Sequence, residues 1–346
     1  CLGIIALAGA AWSRVTRDSR VVACAVVAVL GVLTWRQARF YRDAPALYRE
    51  MLARNPSAWR IRADWADLLM TQRRYEEAAA LYQRVLADAP DYAESRNQLG
   101  DAYLKLGRIP EARAQLEEAV RLRPDATDAR VNLGSVLAQL GRLPEAIAQF
   151  QAALKLDPKA AGTHNNLGNA LAQAGRLAEA TAEYREAVRL QPDFADAHVN
   201  LANALTQAGA IPEALVHYEI ALRLDPRSAE GRYNWALALA QAGRPAAAAV
   251  QLAQATELAP GNPVIWGQRG VVLAQARRFG EAEAALRQAV RLAPKAAEAE
   301  ANLGLVLLQE GKTGEAATHL ESALRLDPSL QGLRPALERA RQLAPR

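Results

Sequence analysis

Few residues of this 346-residue chain have the type and spacing that chemistry requires. His164 and His198 occupy equivalent places 34 residues apart, and His217 and His319 lie further along the chain. Neighbouring helices would place the first two roughly 10 Å apart. That is too far for a shared metal ion, and no cysteine or third histidine is placed to help. We therefore predict that His164 and His198 pack structurally and that the other two are solvated, with no metal site and no cofactor.

A second candidate is Gly311-Lys312-Thr313, which imitates the end of a phosphate-binding loop. Such a loop needs an earlier glycine, where this chain has Val306, and a strand in front of it, where the pattern predicts a helix. No repeat of the chain contains a nucleophile, a base and an orienting group together. The chain itself is therefore not predicted to be an enzyme, whatever a longer parent protein does.

Side-chain amides form the most regular polar pattern, since they recur every 34 residues. The members are asparagines (Asn132, Asn166, Asn200, Asn234, Asn302), glutamines seven residues later (Gln139, Gln173, Gln207, Gln241, Gln275), and Asn169 and Asn203 between them. Positions i, i+3 and i+7 share one face of a helix. Because an amide both donates and accepts, this face suits a peptide backbone. These side chains either line a peptide-binding groove or tie neighbouring helices together, and the sequence leaves both open.

The elements that carry this pattern are pairs of short helices. In residues 161–194, Leu167 and Leu171 lie on one face of a first helix, and Gly175 interrupts the pattern. A second amphipathic run follows and ends at Pro192. Two such helices cannot bury their apolar faces alone, so neighbours of the same kind are required.

Eight copies of this unit follow one another without a gap: 59–92, 93–126, 127–160, 161–194, 195–228, 229–262, 263–296 and 297–330. The second helix of every copy carries an alanine at the same place: Ala78, Ala112, Ala146, Ala180, Ala214, Ala248, Ala282 and Ala316. A small residue repeated in this way predicts close approach of two helices. Residues 59–330 are therefore predicted to be one array of eight stacked repeats.

These residues resemble the tetratricopeptide repeat (TPR), whose 34-residue helix–turn–helix signature includes this alanine, an aromatic residue and a closing proline. The aromatic is Tyr82, Phe150, Tyr184 or Tyr218. The family's early tryptophan occurs only as Trp266, and its place is taken elsewhere by Arg96, Arg130, His164, His198 and Arg232. The resemblance implies an all-α, right-handed superhelical α-solenoid whose first helices line a concave groove.

The ends of the chain differ from the array. Residues 1–58 contain eight Lys/Arg and three Asp/Glu, which is the whole net charge of +5. Residues 1–35 are apolar and include an uncharged run at 21–35, so we predict the end of one membrane span followed by a second. Residues 36–58 match a half repeat, and residues 331–346 are predicted to be a C-terminal capping helix.

The repeats are also similar to the O-linked N-acetylglucosamine transferase superhelix, and the layout to transmembrane-and-TPR-containing proteins. We therefore expect a membrane-anchored scaffold that binds extended segments of a partner protein. The alternative is the substrate-presenting arm of a membrane glycosyltransferase whose catalytic part precedes this chain. No nucleic-acid partner is expected, because residues 59–346 contain 34 charges of each sign. The resemblance favours an extracytoplasmic side for the repeats, and the sequence does not indicate whether the chain self-associates.

Overall fold

The computed structural model describes residues 44–344, which are helical apart from turns and one 3-10 segment. Eighteen α-helices follow one another in this range, and it contains no strand. This confirms the predicted all-helical repeat solenoid. The predicted membrane segment at 1–35 and the first residues of the half repeat lie outside the described residues. Within residues 44–344, none of the helices combines the length and the apolarity that crossing a bilayer requires.

Helix α1 (Ala44–Arg54) precedes the repeats, and its Tyr48 stacks on Trp65 with the ring centroids 6.3 Å apart. The first helices of the eight repeats are α2 (Trp59–Thr71), α4 (Ala93–Lys105), α6 (Thr127–Gln139), α8 (Ala161–Gln173), α10 (Ala195–Gln207), α12 (Ala229–Gln241), α14 (Pro263–Gln275) and α16 (Ala297–Gln309).

The second helices are α3 (Tyr75–Asp88), α5 (Ile109–Leu122), α7 (Leu143–Leu156), α9 (Leu177–Leu190), α11 (Ile211–Leu224), α13 (Pro245–Leu258), α15 (Phe279–Leu292) and α17 (Thr313–Leu326). Each ends two residues before a proline, because the residue preceding proline is driven out of the helical region. A 3-10 turn (Gln331–Leu333) and α18 (Arg334–Leu343) follow the last repeat.

The turn between the two helices of a repeat requires a left-handed residue. Six repeats place glycine there, with φ between 71° and 79°: Gly107, Gly141, Gly175, Gly209, Gly243 and Gly311. Arg73 and Arg277 occupy the same place in the first and seventh repeats with φ of 59° and 60°. A side chain in this region is strained, because its Cβ approaches the following carbonyl oxygen.

Close approach of the two helices explains the repeated small residues. All eight alanines of the second helices are 0% exposed, so the close packing predicted for them is confirmed. On the facing helix, a Cβ added to Gly168 would lie 2.5 Å from Cε1 of Tyr184. A Cβ on Gly100 would lie 2.5 Å from Cγ of Leu116. The glycines of the first helices are therefore demanded by packing and not by backbone conformation.

The chain divides into two compact units, with the boundary between Val136 and Leu137. Unit one contains α1 to α5 and most of α6, and unit two contains the helices from α7 onward. Within each unit, helices that are adjacent in sequence pack against each other. First helices of successive repeats also contact each other directly, as α2 does with α4 in unit one and α8 with α10 in unit two.

Candidate functional site

The predicted amides all lie on first helices, and we call the surface that they form the amide face. Its members are Asn132, Asn166, Asn200, Asn234, Asn302, Gln139, Gln173, Gln207, Gln241, Gln275, Asn169 and Asn203. The asparagines are half-buried between helices, whereas the glutamines are exposed. None of these glutamines has a side-chain partner within the described part of the chain. The glutamines therefore keep donors and acceptors that face solvent.

Two asparagines of the amide face link neighbouring repeats. In unit one, Nδ2 of Asn132 donates to Oδ1 of Asn97 at 3.0 Å, which joins α6 to α4. In unit two, Nδ2 of Asn200 donates to Oδ1 of Asn165 at 2.9 Å, which joins α10 to α8. Both acceptors occupy the same place, one residue before the corresponding asparagine or glutamine of their own repeat. These two amides are structural ties, as one of the two interpretations expected.

Other asparagines at the same place carry no such bond. Three have no hydrogen-bond partner within residues 44–344: Asn166, Asn234 and Asn302. The reason is visible in the sequence, because the place of the acceptor in the preceding repeat is filled by Val131, Val199 and Gly267 respectively. None of these residues has a polar side chain. The amide face therefore alternates between tied and free amides across repeats three to six.

Asn169 and Asn203 have a role within their own repeats. Oδ1 of Asn169 accepts from the hydroxyl of Tyr184 at 2.8 Å, and Oδ1 of Asn203 accepts from the hydroxyl of Tyr218 at 2.6 Å. Burial raises the pKa of each phenol to about 12. A buried tyrosine hydroxyl needs an acceptor, and the asparagine fifteen residues earlier supplies it. These two amides support the repeat through the tyrosine.

In unit one the equivalent surface is acidic. The hydroxyl of Tyr82 donates to Asp67, which takes the place of the asparagine. Loss of hydration, with the nearby charges of Asp64 and Glu94, raises the pKa of Asp67 despite that hydrogen bond. A surface cavity of about 290 Å³ is lined by these three carboxylates and by Ser95. The sequence pattern identified Asp64 as a variant of the amide position but missed this concentration of charge.

The histidines are held in pairs within single repeats. His164 Nδ1 lies 2.7 Å from Glu183 Oε2, and His198 Nδ1 lies 2.9 Å from His217 Nδ1. His319 Nδ1 lies 2.5 Å from Glu300 Oε2. Burial and the neighbouring His198 lower the pKa of His217.

The prediction that His217 and His319 are solvated was therefore wrong, because each fills the gap left between the two helices of its repeat. Within residues 44–344, no group of three metal-binding side chains comes together. Lys312 of the loop-like tripeptide pairs with Glu283 and Glu310.

The place of the family's early tryptophan has one task in seven repeats, which is to donate to the carbonyl of the proline six residues earlier. Trp266 Nε1 donates to Pro260 at 2.9 Å, and Arg96 Nε donates to Pro90 at 3.0 Å. The other pairs are Arg62 with Pro56, Arg130 with Pro124, His164 with Pro158, His198 with Pro192 and Arg232 with Pro226. Arginine and histidine replace tryptophan here because they also present an N–H group. Glu300, which has no donor when ionised, pairs with His319 instead.

Comparison with protein-family models gives three matches. Two tetratricopeptide-repeat models match residues 60–125 and 97–161. A third, described as the cilia and flagella-associated protein 70 C-terminal domain, matches residues 160–344, more than half of the chain. No curated protein matches the chain as a relative.

Solved structures share the fold at low sequence identity. The APC/C hetero-tetramer Cut9-Hcn1 aligns at 18% identity with a TM-score of 0.56, over 82% of this chain and 56% of that one. PilF of Pseudomonas aeruginosa aligns at 23% identity with a TM-score of 0.54, over 60% and 95%. A tetratricopeptide-repeat protein from Parabacteroides merdae aligns at 16% identity with a TM-score of 0.53, over 72% and 98%.

TPR repeats characteristically mediate contacts between proteins, and these matches indicate no catalytic family. The family models together extend over the helix pairs, the buried alanines and the closing prolines described above. The chain therefore belongs to the tetratricopeptide-repeat family, and its residues 160–344 belong to the family described by the cilia and flagella-associated protein 70 C-terminal domain.

Proposed function

We propose that the chain is a membrane-anchored scaffold whose amide face binds extended segments of partner proteins. One observation carries this proposal, the presence of free amides beside tied ones on the same face. If the asparagines served only to join helices, each would need an acceptor in the preceding repeat. Asn166 and Asn234 have none within the described chain, so their donors and acceptors are available to a ligand.

The spacing of the free amides suits a peptide backbone. Packed helices lie about 8–10 Å apart, and an extended chain rises about 3.3–3.6 Å per residue. Asn166 and Asn234 are two repeats apart, so a strand along the face meets a free amide roughly every five or six residues. As the family resemblance implies, we propose that the repeats wind into a right-handed superhelix with this face on the inside.

Recognition through backbone amides has consequences for affinity. The ligand's side chains are read only loosely, so binding is broad in sequence and micromolar or weaker. Salt has little effect in unit two, because amides carry no charge. In unit one, the carboxylates of Asp64, Asp67 and Glu94 add a preference for segments that carry lysine or arginine.

A pair of double variants tests the amide face. Asn166→Ala with Asn234→Ala removes free amides, and Asn132→Ala with Asn200→Ala removes tied ones. The probe is a panel of uncharged fluorescent peptides, and Kd is measured by anisotropy on the full chain. With about 0.5–1.5 kcal/mol for each lost hydrogen bond, the first pair weakens binding by about tenfold. Its thermal midpoint stays near that of wild type.

The second pair is the matched control, since it lowers the thermal midpoint by breaking the bonds to Asn97 and Asn165. If the Asn166/Asn234 variant binds the peptides as tightly as wild type, the amide face is not the binding site. If that variant melts well below wild type, its amides are structural after all.

We propose that residues 1–35 anchor the chain and that the repeats lie on the extracytoplasmic side. The support is the uncharged run at 21–35 between Arg20 and Arg36, together with the resemblance to transmembrane-and-TPR-containing proteins. A chain starting at Trp59 is expected in the supernatant after a high-speed spin, while the full chain needs detergent. Full-length protein that stays in the aqueous supernatant would contradict the anchor. The glycosyltransferase-arm alternative stays a prediction from resemblance.

A further inference from the structure

The arginine that precedes the second helix of most repeats has a fixed partner. It pairs with the glutamate three residues later in five repeats: Arg74 with Glu77, Arg108 with Glu111, Arg142 with Glu145, Arg176 with Glu179 and Arg278 with Glu281. In the sixth repeat the glutamate is replaced by Ala247. Arg244 is exposed there and has no side-chain partner within residues 44–344. This repeat therefore presents a cation that its neighbours neutralise internally.

Arg244 lines a surface cavity of about 350 Å³ in unit two. Helices α11, α12 and α13 form its walls, which include Leu215, Val216 and Leu239. Val216 is 55% exposed, and Val250 on α13 is 52% exposed. Exposed aliphatic side chains beside a cavity lose contact with water when an apolar group enters it. The cavity therefore favours a large aliphatic side chain.

The polar groups of the cavity are mostly donors. Gln251 has its carbonyl oxygen engaged by Nη1 of Arg232 at 3.1 Å, which leaves its amide N–H groups. The buried indole N–H of Trp235 has no acceptor among the described residues. The single carboxylate of the wall, Glu219, pairs with Arg223 at 3.1 Å. Unpaired donors and an unpaired cation call for an anionic acceptor, and a carboxylate matches a guanidinium in geometry as well as in charge.

We propose that this cavity is a second protein-binding site, which accepts a partner segment with an aspartate or glutamate side chain beside a large aliphatic one. The carboxylate pairs with Arg244, and the aliphatic side chain packs against Val216 and Leu239. The site lies between helices α11 to α13 and does not use Asn166 or Asn234, so it is independent of the amide face. Because one charge pair orients the ligand, binding here depends on salt.

The test uses the full chain and a capped peptide that carries a leucine–glutamate pair in a glycine–serine background. Leucine–glutamine and alanine–glutamate versions are the ligand controls. Ala247→Glu restores the ion pair of the other five repeats while keeping Arg244, and Arg244→Gln removes the cation. Both variants are expected to weaken binding of the leucine–glutamate peptide by about tenfold, the effect of one lost charged hydrogen bond.

Two further variants separate this site from the rest of the molecule. Arg278→Gln removes an arginine that is already paired with Glu281, and it should leave binding unchanged. The Asn166/Asn234 double alanine variant should also bind normally, so failure of the amide-face proposal would be distinguishable. The proposal is overturned if Ala247→Glu binds as tightly as wild type, if the leucine–glutamine peptide binds equally well, or if no binding occurs up to about 1 mM.

Discussion

In the first repeat the hydroxyl of Tyr82 donates to Asp67, and in the fourth the hydroxyl of Tyr184 donates to Asn169. The two bonds join the same places of the repeat, fifteen residues apart. Only the acceptor differs, a carboxylate in unit one and an amide in unit two. The repeat needs an oxygen at this place to satisfy a buried hydroxyl, and either side chain provides one.

This freedom lets the surface change character while the packing beneath it stays the same. Unit one gathers carboxylates on its first helices, whereas repeats four and five of unit two carry neutral amides. Further along, Leu237, Val271 and Leu305 take the same place and make it apolar. The second helices of those repeats have leucine where the tyrosine would be, so no hydroxyl needs an acceptor. Tyrosine and its acceptor thus occur together or are both absent in these six repeats.

The largest difference between the units should appear at the glycines facing these side chains. Gly168→Ala brings a Cβ to 2.5 Å from the ring of Tyr184, which the bond to Asn169 holds in place. Gly100→Ala in unit one meets Leu116, whose side chain can rotate away. We expect a loss of about 1–3 kcal/mol, larger at Gly168. Denaturant unfolding of both variants measures it, and equal losses would mean that the ring is not held rigidly.

Removing the two hydroxyls compares the acceptors directly. Tyr82→Phe breaks a hydrogen bond to a carboxylate, and Tyr184→Phe breaks one to an amide. Bonds to charged groups are the stronger, so we expect a loss of about 1.5–2 kcal/mol for the first and about 1 kcal/mol for the second. Thermal unfolding at pH 7 checks the order. A greater loss at Tyr184 would contradict the view that the charge strengthens this bond.

The interhelix turns should not distinguish the units. Arg73 in unit one and Arg277 in unit two both have positive φ, where six other repeats have glycine. Replacing either by glycine relieves strain and should raise the free energy of unfolding by about 1 kcal/mol. Gly175→Ala is the reverse change and should lower it. A loss of stability on Arg277→Gly would show that its side chain makes contacts worth more than the strain.

The smallest expected effect is a pH dependence confined to unit one. Because the pKa of Asp67 is raised in the folded chain, the folded state binds its proton more tightly than the unfolded state. This contribution to stability is present below the ordinary pKa of 3.8 and is lost as pH rises through the raised value. Asp67→Asn removes it, and Asn169→Asp introduces it into unit two. Hydrogen exchange in repeats one and four across pH 4–7 would detect both changes, and an unaltered slope in Asp67→Asn would refute the assignment.

The sequence alone determined the repeat and most of its internal packing. A period of 34 residues places the same contact in every copy, so the buried alanines, the turn glycines and the closing prolines could be read directly. The acidic surface of unit one could also have been inferred, because Asp64 and Asp67 stand where other repeats have amides. A contact made in every repeat depends on one register, and the register is visible as a pattern.

Only the tertiary structure separated tied amides from free ones. Asn132 and Asn166 look the same in sequence, but the first lies against Asn97 and the second follows a repeat with Val131 at that place. The pairing of His198 with His217 and the unpaired state of Arg244 were likewise decided by neighbours. A side-chain hydrogen bond needs two polar groups from different helices within about 3 Å, and one helix's pattern does not say what its neighbour presents.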